Sequence, residues 1–433
     1  MLNHDVKLFL LMAWTVTTLA QVTWATDDWP VWRGPTKDGI AAPGQQPPVQ
    51  WDDRTNVLWK SKLPGRGHSS PIIVGPRIFL TTSQESKGTQ SVLCLSRESG
   101  ELLWETTICT GNLSTQIHPN NTHASPTIVA TDDRLFANFW NNDHVELASL
   151  DHEGNLIWKK TAGKFLPKYP FGYGASPCLF QDLVIVSLEC EKIGALVAFH
   201  QKDGEERWRT PCIRGTGYSS PIVQRVADRD QLLISGSWSV RSYDPKDGQP
   251  LWSVEGPWEV TCGTMVSAAL PLQVGWPTPS IPITVDLVFA SGGFPRGKTL
   301  AIRASGEVGL LWSNRVKSYE QSLLVDNGFV YGVSDRGVGY CWNAATGQEM
   351  WKQRLAGPVS ASPVMAGGNI YITTERGKTF VFQASPEKYI PVSENQLGQS
   401  SFASLTVVNS RIYARVGFKD DGRGNQWLYC LAR

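Results

Sequence analysis

The 433-residue chain is built of short apolar runs. Val, Ile, Leu, Phe and Tyr cluster over a few positions, and Gly, Pro, Asn and Asp separate the clusters. This pattern predicts many short β-strands joined by tight turns. Beyond the N-terminus no sustained helical period appears. The stretch 340–352 shows the unit: a strand ends at Trp342 and Asn343, Thr346 and Gly347 make a turn, and Trp351 leaves on the next strand. Glycine suits such a turn because it reaches positive φ without steric cost.

The unit recurs. Gly100 leads to Trp104, Gly154 to Trp158, Gly204 to Trp208, Gly248 to Trp252 and Gly347 to Trp351, four residues apart each time. Gly306 leads to Trp312 at six, which marks an insertion. Trp59 reads as the tryptophan strand of a copy without its hairpin. A second landmark opens the copies: Ser69-Ser70-Pro71, Ala124-Ser125-Pro126, Ala175-Ser176-Pro177, Ser219-Ser220-Pro221 and Ala361-Ser362-Pro363. Gln321-Ser322-Leu323 and Ala403-Ser404-Leu405 are weaker forms, and the fifth copy is expected near Val266-Ser267-Ala268. Proline is tolerated at a strand start, where no ladder bond is yet needed. Pro71 to Phe79, Pro177 to Ile185, Leu323 to Tyr331, Pro363 to Tyr371 and Leu405 to Tyr413 are each eight residues.

A repeat of this length decides the architecture. Each copy reads as four antiparallel strands, the size of a propeller blade. The expected fold is all-β, an eight-bladed β-propeller over 56–433. The last copy supplies three strands only. The strand around Trp59 completes it, so the two ends of the chain close the ring in one blade and leave no open edge.

These repeats resemble the PQQ-like β-propeller family, whose pattern is roughly Ala-x-Asp-x-x-Thr-Gly-x-x-x-Trp. The resemblance covers most of 56–433. It implies that Trp59, Trp104, Trp158, Trp208, Trp252, Trp312 and Trp351 pack between blades. Two kinds of activity follow from it. Quinoprotein dehydrogenases of the family hold pyrroloquinoline quinone, with Ca²⁺, over the central channel. Non-catalytic relatives include the propeller lipoprotein of the outer-membrane β-barrel assembly machinery. The chain departs from both, having neither vicinal cysteines nor a cysteine to carry a lipid after a leader.

The leader itself is expected at 1–25, where an apolar run follows Lys7 and small residues flank Trp24. It implies a periplasmic or secreted protein. Residues 26–55 read as an extended arm that opens with Trp29-Pro30-Val31-Trp32-Arg33-Gly34-Pro35. A net charge of +1 offers no nucleic-acid footprint. No apolar run is long enough to span a membrane. The eight cysteines include no Cys-x-x-Cys, and their pairing is not readable from spacing. No nucleophile elbow, zinc helix or phosphate loop occurs, so no catalytic residue is assigned.

In a propeller the loops that lead into each blade gather at one mouth of the channel. There the sequence places Arg66, His68, His118, His123, Tyr173, Tyr218, Glu320 and Phe402 as candidate binding residues. Asn120, Tyr169, Phe171, Arg214, Trp258, Tyr319 and Gln399 lie in the same loops. Such a polar and aromatic funnel suits a peptide, a sugar or a planar ligand. A metal would require His68, His118 and His123 to converge with Glu320, and none is expected. The function expected is that of an exported, monomeric, non-catalytic scaffold for envelope proteins or peptides, without cofactor. A quinone-dependent dehydrogenase and a sugar- or small-ligand-binding propeller are the alternatives.

Overall fold

Four consecutive apolar runs pair into one antiparallel sheet seven times, and an eighth sheet joins the last three runs to the first. The computed structural model describes residues 27–115, 117–212, 215–273, 282–418 and 425–433. The expected leader at 1–25 and Arg214 lie outside them. Blade 1 consists of Ile72–Val74, Arg77–Gln84, Thr89–Ser96 and Leu102–Thr110. Blades 2 to 7 follow along 129–164, 178–211, 222–255, 266–314, 324–354 and 364–396. Blade 8 joins Thr406–Val408, Arg411–Phe418 and Asn425–Leu431 to the N-terminal strand Val57–Leu63. The two chain ends pair from Val57 opposite Leu431 to Leu63 opposite Gln426. The eight-residue spacing is the first hairpin of a blade: Ile72 faces Phe79, Leu324 faces Tyr331 and Thr406 faces Tyr413.

The repeat tryptophans join neighbouring blades. Trp104 stands opposite Cys94 in blade 1, beside a bulge, and its indole Nε1 donates to the His152 carbonyl of blade 2 at 3.1 Å. A Cβ on Gly154 would stand 2.7 Å from that ring. The repeat glycine therefore has two duties. It takes positive φ in its own turn, and it is the floor on which the preceding blade's indole lies. Trp158 reaches Gln201 at 2.9 Å, Trp208 Pro245 at 3.2 Å, Trp312 Ala344 at 2.8 Å and Trp351 Ser385 at 2.8 Å. Trp59 closes the ring onto Arg97 of blade 1 at 3.3 Å. The wedges between sheets fill with apolar side chains, such as Phe79 and Val92 against Leu135 and Ala148 between blades 1 and 2. Large aromatic area is what such a wedge needs.

Two interfaces depart from the rule. Trp252 donates to Gln231 of its own blade at 2.8 Å, and no atom comes within 4 Å of a Cβ built on Gly306. Blade 7 has Ser393 where the tryptophan belongs, opposite Val381. There the arm supplies the ring. Trp51 stacks on Tyr371 with centroids 6.2 Å apart, and its N–H donates to Asn395 at 2.8 Å. Tyr371 occupies the position at which Phe79, Tyr331 and Tyr413 meet Trp104, Trp351 and Trp59 in their own blades.

The arm otherwise crosses the far face of the ring. Trp29 pairs with Ile73 of blade 1, Lys37 Nζ donates to Val223 of blade 4 at 3.0 Å, and Ile40 bridges Met365 of blade 7. Arg33 is buried on this path and donates to the Leu323 carbonyl at 2.6 Å. Burial lowers its pKa to about 10, and its Nε and Nη1 have no partner.

Candidate functional site

Two residues before each innermost strand stands a hydroxyl residue, and these form a ring. In blade order it contains Ser70, Thr127, Ser176, Ser220, Thr264, Ser322, Ser362 and Ser404. The backbone N–H of each donates to the next hydroxyl at 2.8–3.1 Å, and Ser404 returns to Ser70. Among the described residues only the link from Ser220 to Thr264 is missing. Instead Thr264 Oγ1 accepts from Trp32 Nε1 of the arm at 2.9 Å. The small residues of the opening tripeptides are thus a hydrogen-bonded collar, and Trp32 is bonded to it.

Two residues before each hydroxyl lies a second ring, closer to solvent: His68, Ser125, Gly174, Tyr218, Cys262, Glu320, Ser360 and Phe402. Together the rings line a cavity of about 400 Å³, with Trp32 of the arm also in its lining. His118, Asn120, Phe171, Phe294 and Tyr319 extend its wall.

Five candidates line this pocket: His68, His118, Tyr218, Glu320 and Phe402. Three do not. In blade 2 the Ala124-Ser125-Pro126 tripeptide sits two residues early, so Thr127 takes the collar position and Ser125 the outer one. His123 is thereby displaced behind the wall, where its Nδ1 is buried without a partner and its carbonyl accepts from Gln90. Tyr173 follows Gly172, whose φ is 83°, and turns into the core. Its hydroxyl donates to Ser187 at 2.8 Å. Arg66 stays at the rim, bridged to Ser83 and paired with Glu85 at 3.8 Å. The fifth blade opens through Cys262-Gly263-Thr264. Val266 already faces Phe289 in the sheet, so the tripeptide expected there is displaced by the long first hairpin of that blade. Trp32 and Phe294 are pocket residues that the sequence did not single out.

His68 stacks on Phe402 with centroids 4.5 Å apart. Burial, reinforced by Arg415 and Arg66, pushes its pKa down to about 3, so the imidazole is neutral at ordinary pH. Arg415 lies buried between blades 8 and 1, bonded to Ser69 and Thr81 at 2.9 Å each. Glu320 is solvent-exposed at the pocket mouth, yet crowding by the surrounding wall desolvates its carboxyl and pushes it above the usual range; Glu375 and Asp335 add to this, while Ser360 and Lys317 oppose it. Cys262 is held as a thiol, chiefly by burial. All eight cysteines are free. Ser360 donates to Glu375 at 2.8 Å, and no pocket hydroxyl is bonded to a histidine among the described residues.

The sequence model of a family described as "Outer membrane protein assembly factor BamB" matches residues 141–319 and 239–386, together more than half of the chain. The chain belongs to this PQQ-like propeller family. No curated protein matches it significantly. Among solved structures, a europium-containing methanol dehydrogenase superposes with a TM-score of 0.66 at 12% identity, over 94% of this chain and 98% of that one. A quinohemoprotein alcohol dehydrogenase from Comamonas testosteroni gives 0.66 at 12% identity, over 94% of this chain and 80% of that one. BamB from Moraxella catarrhalis gives 0.56 at 16%, over 86% and 98%. At these identities the likeness is one of fold.

Pyrroloquinoline quinone, which the fold family implies, carries three carboxylates. Among the described lining residues of this PQQ-like propeller there is no lysine or arginine, and the wall presents Glu320 instead. The described residues also contain no cluster of three metal-ligating side chains. The described residues do not fit the quinone.

Proposed function

We propose that this is an exported, non-catalytic propeller that acts by recognition, with the channel pocket as its binding site. The observation that carries this reading is a channel pocket with Trp32 of the arm bonded into its lining, collared by hydroxyls and walled with aromatic rings. Its volume lies in the range of small-ligand sites, so it receives a small molecule or a short segment of a larger partner. The family description and the Moraxella catarrhalis relative name a factor of outer-membrane protein assembly. That likeness favours an envelope polypeptide as partner, met by a periplasmic or secreted monomer.

The test is a photo-crosslinking residue at Asn120, on the exposed lip of the pocket. Illumination of cells carrying the full chain is expected to give discrete adducts with envelope polypeptides. The same residue at Glu98, an exposed turn position outside the pocket, is expected to give none. Equal labelling at both positions overturns the reading. The dehydrogenase alternative predicts a thermal shift and dye reduction with pyrroloquinoline quinone and Ca²⁺; neither is expected.

A further inference from the structure

The wall on the side of blades 3 to 6 is a continuous aromatic surface that ends in one carboxylate. Phe171 meets Phe294 edge-on at 5.7 Å and Tyr218 at 5.9 Å, and Phe294 meets Tyr319 at 6.4 Å. Glu320 follows Tyr319 in the chain and faces the same cavity. We propose that the group this pocket receives is an organic cation, an alkylammonium or guanidinium, held at Glu320 against the rings of Phe171, Phe294 and Tyr319. This deepens the reading of the pocket as a recognition site and rests on it.

The charge pattern argues for a cation. An anionic ligand would meet the Glu320 carboxylate with no lysine or arginine among the described lining residues to offset it. A neutral ligand would take water from that carboxylate and leave it only Ser360 and the charge of Lys317 behind the wall, which is costly. A cation removes both penalties and gains from the negative faces of the rings, an attraction that grows as water is excluded. The wall already shows this affinity from behind: Lys317 Nζ lies 5.9 Å from the Phe294 ring centre and 5.1 Å from that of Tyr319. Lys317 is not a lining residue and is held by Asp335 at 3.2 Å, so it does not occupy the cavity. The buried cation Arg415 sits behind His68, on the side of blades 8 and 1, and is committed to Ser69, Thr81 and Gln426.

The cation has two possible sources, a free amine or a basic side chain of a polypeptide, and two matched pairs of probes separate them. Choline is compared with its neutral isostere 3,3-dimethylbutan-1-ol. An acetyl-Gly-Lys-Gly amide is compared with its Nε-acetylated form. Calorimetric titration of the full protein is expected to show at least one charged probe binding about tenfold tighter than its neutral partner, the scale of a desolvated cation–π contact. Glu320→Gln should abolish that preference, and Phe171→Leu should reduce it several-fold with an unchanged melting temperature. Preference in the choline pair alone assigns a free amine; preference in the peptide pair alone assigns a polypeptide side chain. Neutral probes binding as well as charged ones, a preference that survives Glu320→Gln, or no binding of any probe overturns the inference. Crosslinks at Asn120 that persist in such a case would leave the recognition reading intact, because that assay does not depend on charge.

Discussion

The interface between blades 1 and 2 and the interface between blades 4 and 5 carry the same repeat tryptophan, and both pack it in their apolar wedge, yet only in the first does the indole donate across to the next blade. Between blades 1 and 2, Trp104 lies on Gly154 and bonds to His152, Thr106 donates to Gly154 at 2.7 Å, and Ser70 donates to Thr127 at 3.0 Å. Between blades 4 and 5, Trp252 turns to Gln231 of its own sheet, Gly306 carries nothing, and the collar link is absent. What remains there includes a Ser267–Gln224 hydrogen bond and a Lys298–Glu255 ion pair at 3.2 Å on the exposed surface. The six-residue spacing from Gly306 to Trp312 marks the same blade. The ring has a regular side and a seam, and Trp32 of the arm is bonded at the seam, on Thr264.

The largest expected effect comes from deleting the two rings. Trp104→Ala removes a bridging indole and leaves a wedge cavity, and should cost about 3 kcal/mol, toward the low end for an aromatic truncation because the ring is only half-buried. Trp252→Ala thins the apolar wedge between blades 4 and 5 but breaks no hydrogen bond across it, and should cost about 2 kcal/mol. Urea denaturation of both variants checks this. Equal losses would mean that the seam is held as tightly as its neighbours.

Acid should act on the ring's closing interface and leave the seam alone. The unfolded chain takes a proton on His68 near 6.5, whereas the folded protein refuses it until about 3. Through that window the unfolded state binds more protons, so stability falls as pH drops and is fully present above 6.5. At pH 5 the loss from this one group is about 2 kcal/mol. His68→Gln should flatten the acid limb of a stability–pH curve by that amount. Cys262, its counterpart leading into blade 5, is held protonated well above this range, so Cys262→Ser should leave the limb unchanged.

These contrasts also show what was legible in the sequence. Spacing within a copy became pairing within a blade: Ile72 opposite Phe79 and the turn at Gly347 are local, and local periods survive in the chain. Contacts between copies are not written that way. Nothing in the Gly154–Trp158 spacing says that Trp104 lies on Gly154. Trp51 replacing the ring absent at Ser393, and Trp32 reaching Thr264, are long-range events set by the path of the arm. His123 was misplaced because the small-small-Pro pattern in blade 2 is shifted by two residues while the hydrogen-bond register is not. Trp252 bears the same motif as Trp104 and differs in its surroundings: its own blade offers Gln231 as an acceptor, and Gly306 of the next blade does not reach the ring.

Glycine substitutions separate sterics from backbone strain. Gly154 and Gly306 both have positive φ, 89° and 67°, so alanine at either costs about 1 kcal/mol for the left-handed backbone. Only at Gly154 does the new methyl also press on an indole, Trp104, at 2.7 Å. Gly154→Ala should therefore lose roughly 1 kcal/mol more than Gly306→Ala. The difference in denaturation midpoints at constant m-value measures the docking term alone. A zero difference would show that Trp104 moves aside freely.

The smallest effect is the most local, and it tests the collar one bond at a time. Ser176 Oγ accepts the buried N–H of Thr127 at 2.8 Å, so Ser176→Ala leaves that donor without an acceptor and should cost about 1 kcal/mol. Thr264 receives no backbone N–H from Ser220. Thr264→Val, nearly the same shape, gives up only the bond from Trp32 and should cost about 0.5 kcal/mol. Amide hydrogen exchange resolves the two. Thr127 should exchange faster in Ser176→Ala, with other collar amides unchanged, because each link is a separate bond. In Thr264→Val no collar amide should change, and only the indole N–H of Trp32 should lose protection. If Thr264→Val instead released amides all round the ring, the seam would be the point from which the collar is held, and the regular side would depend on it.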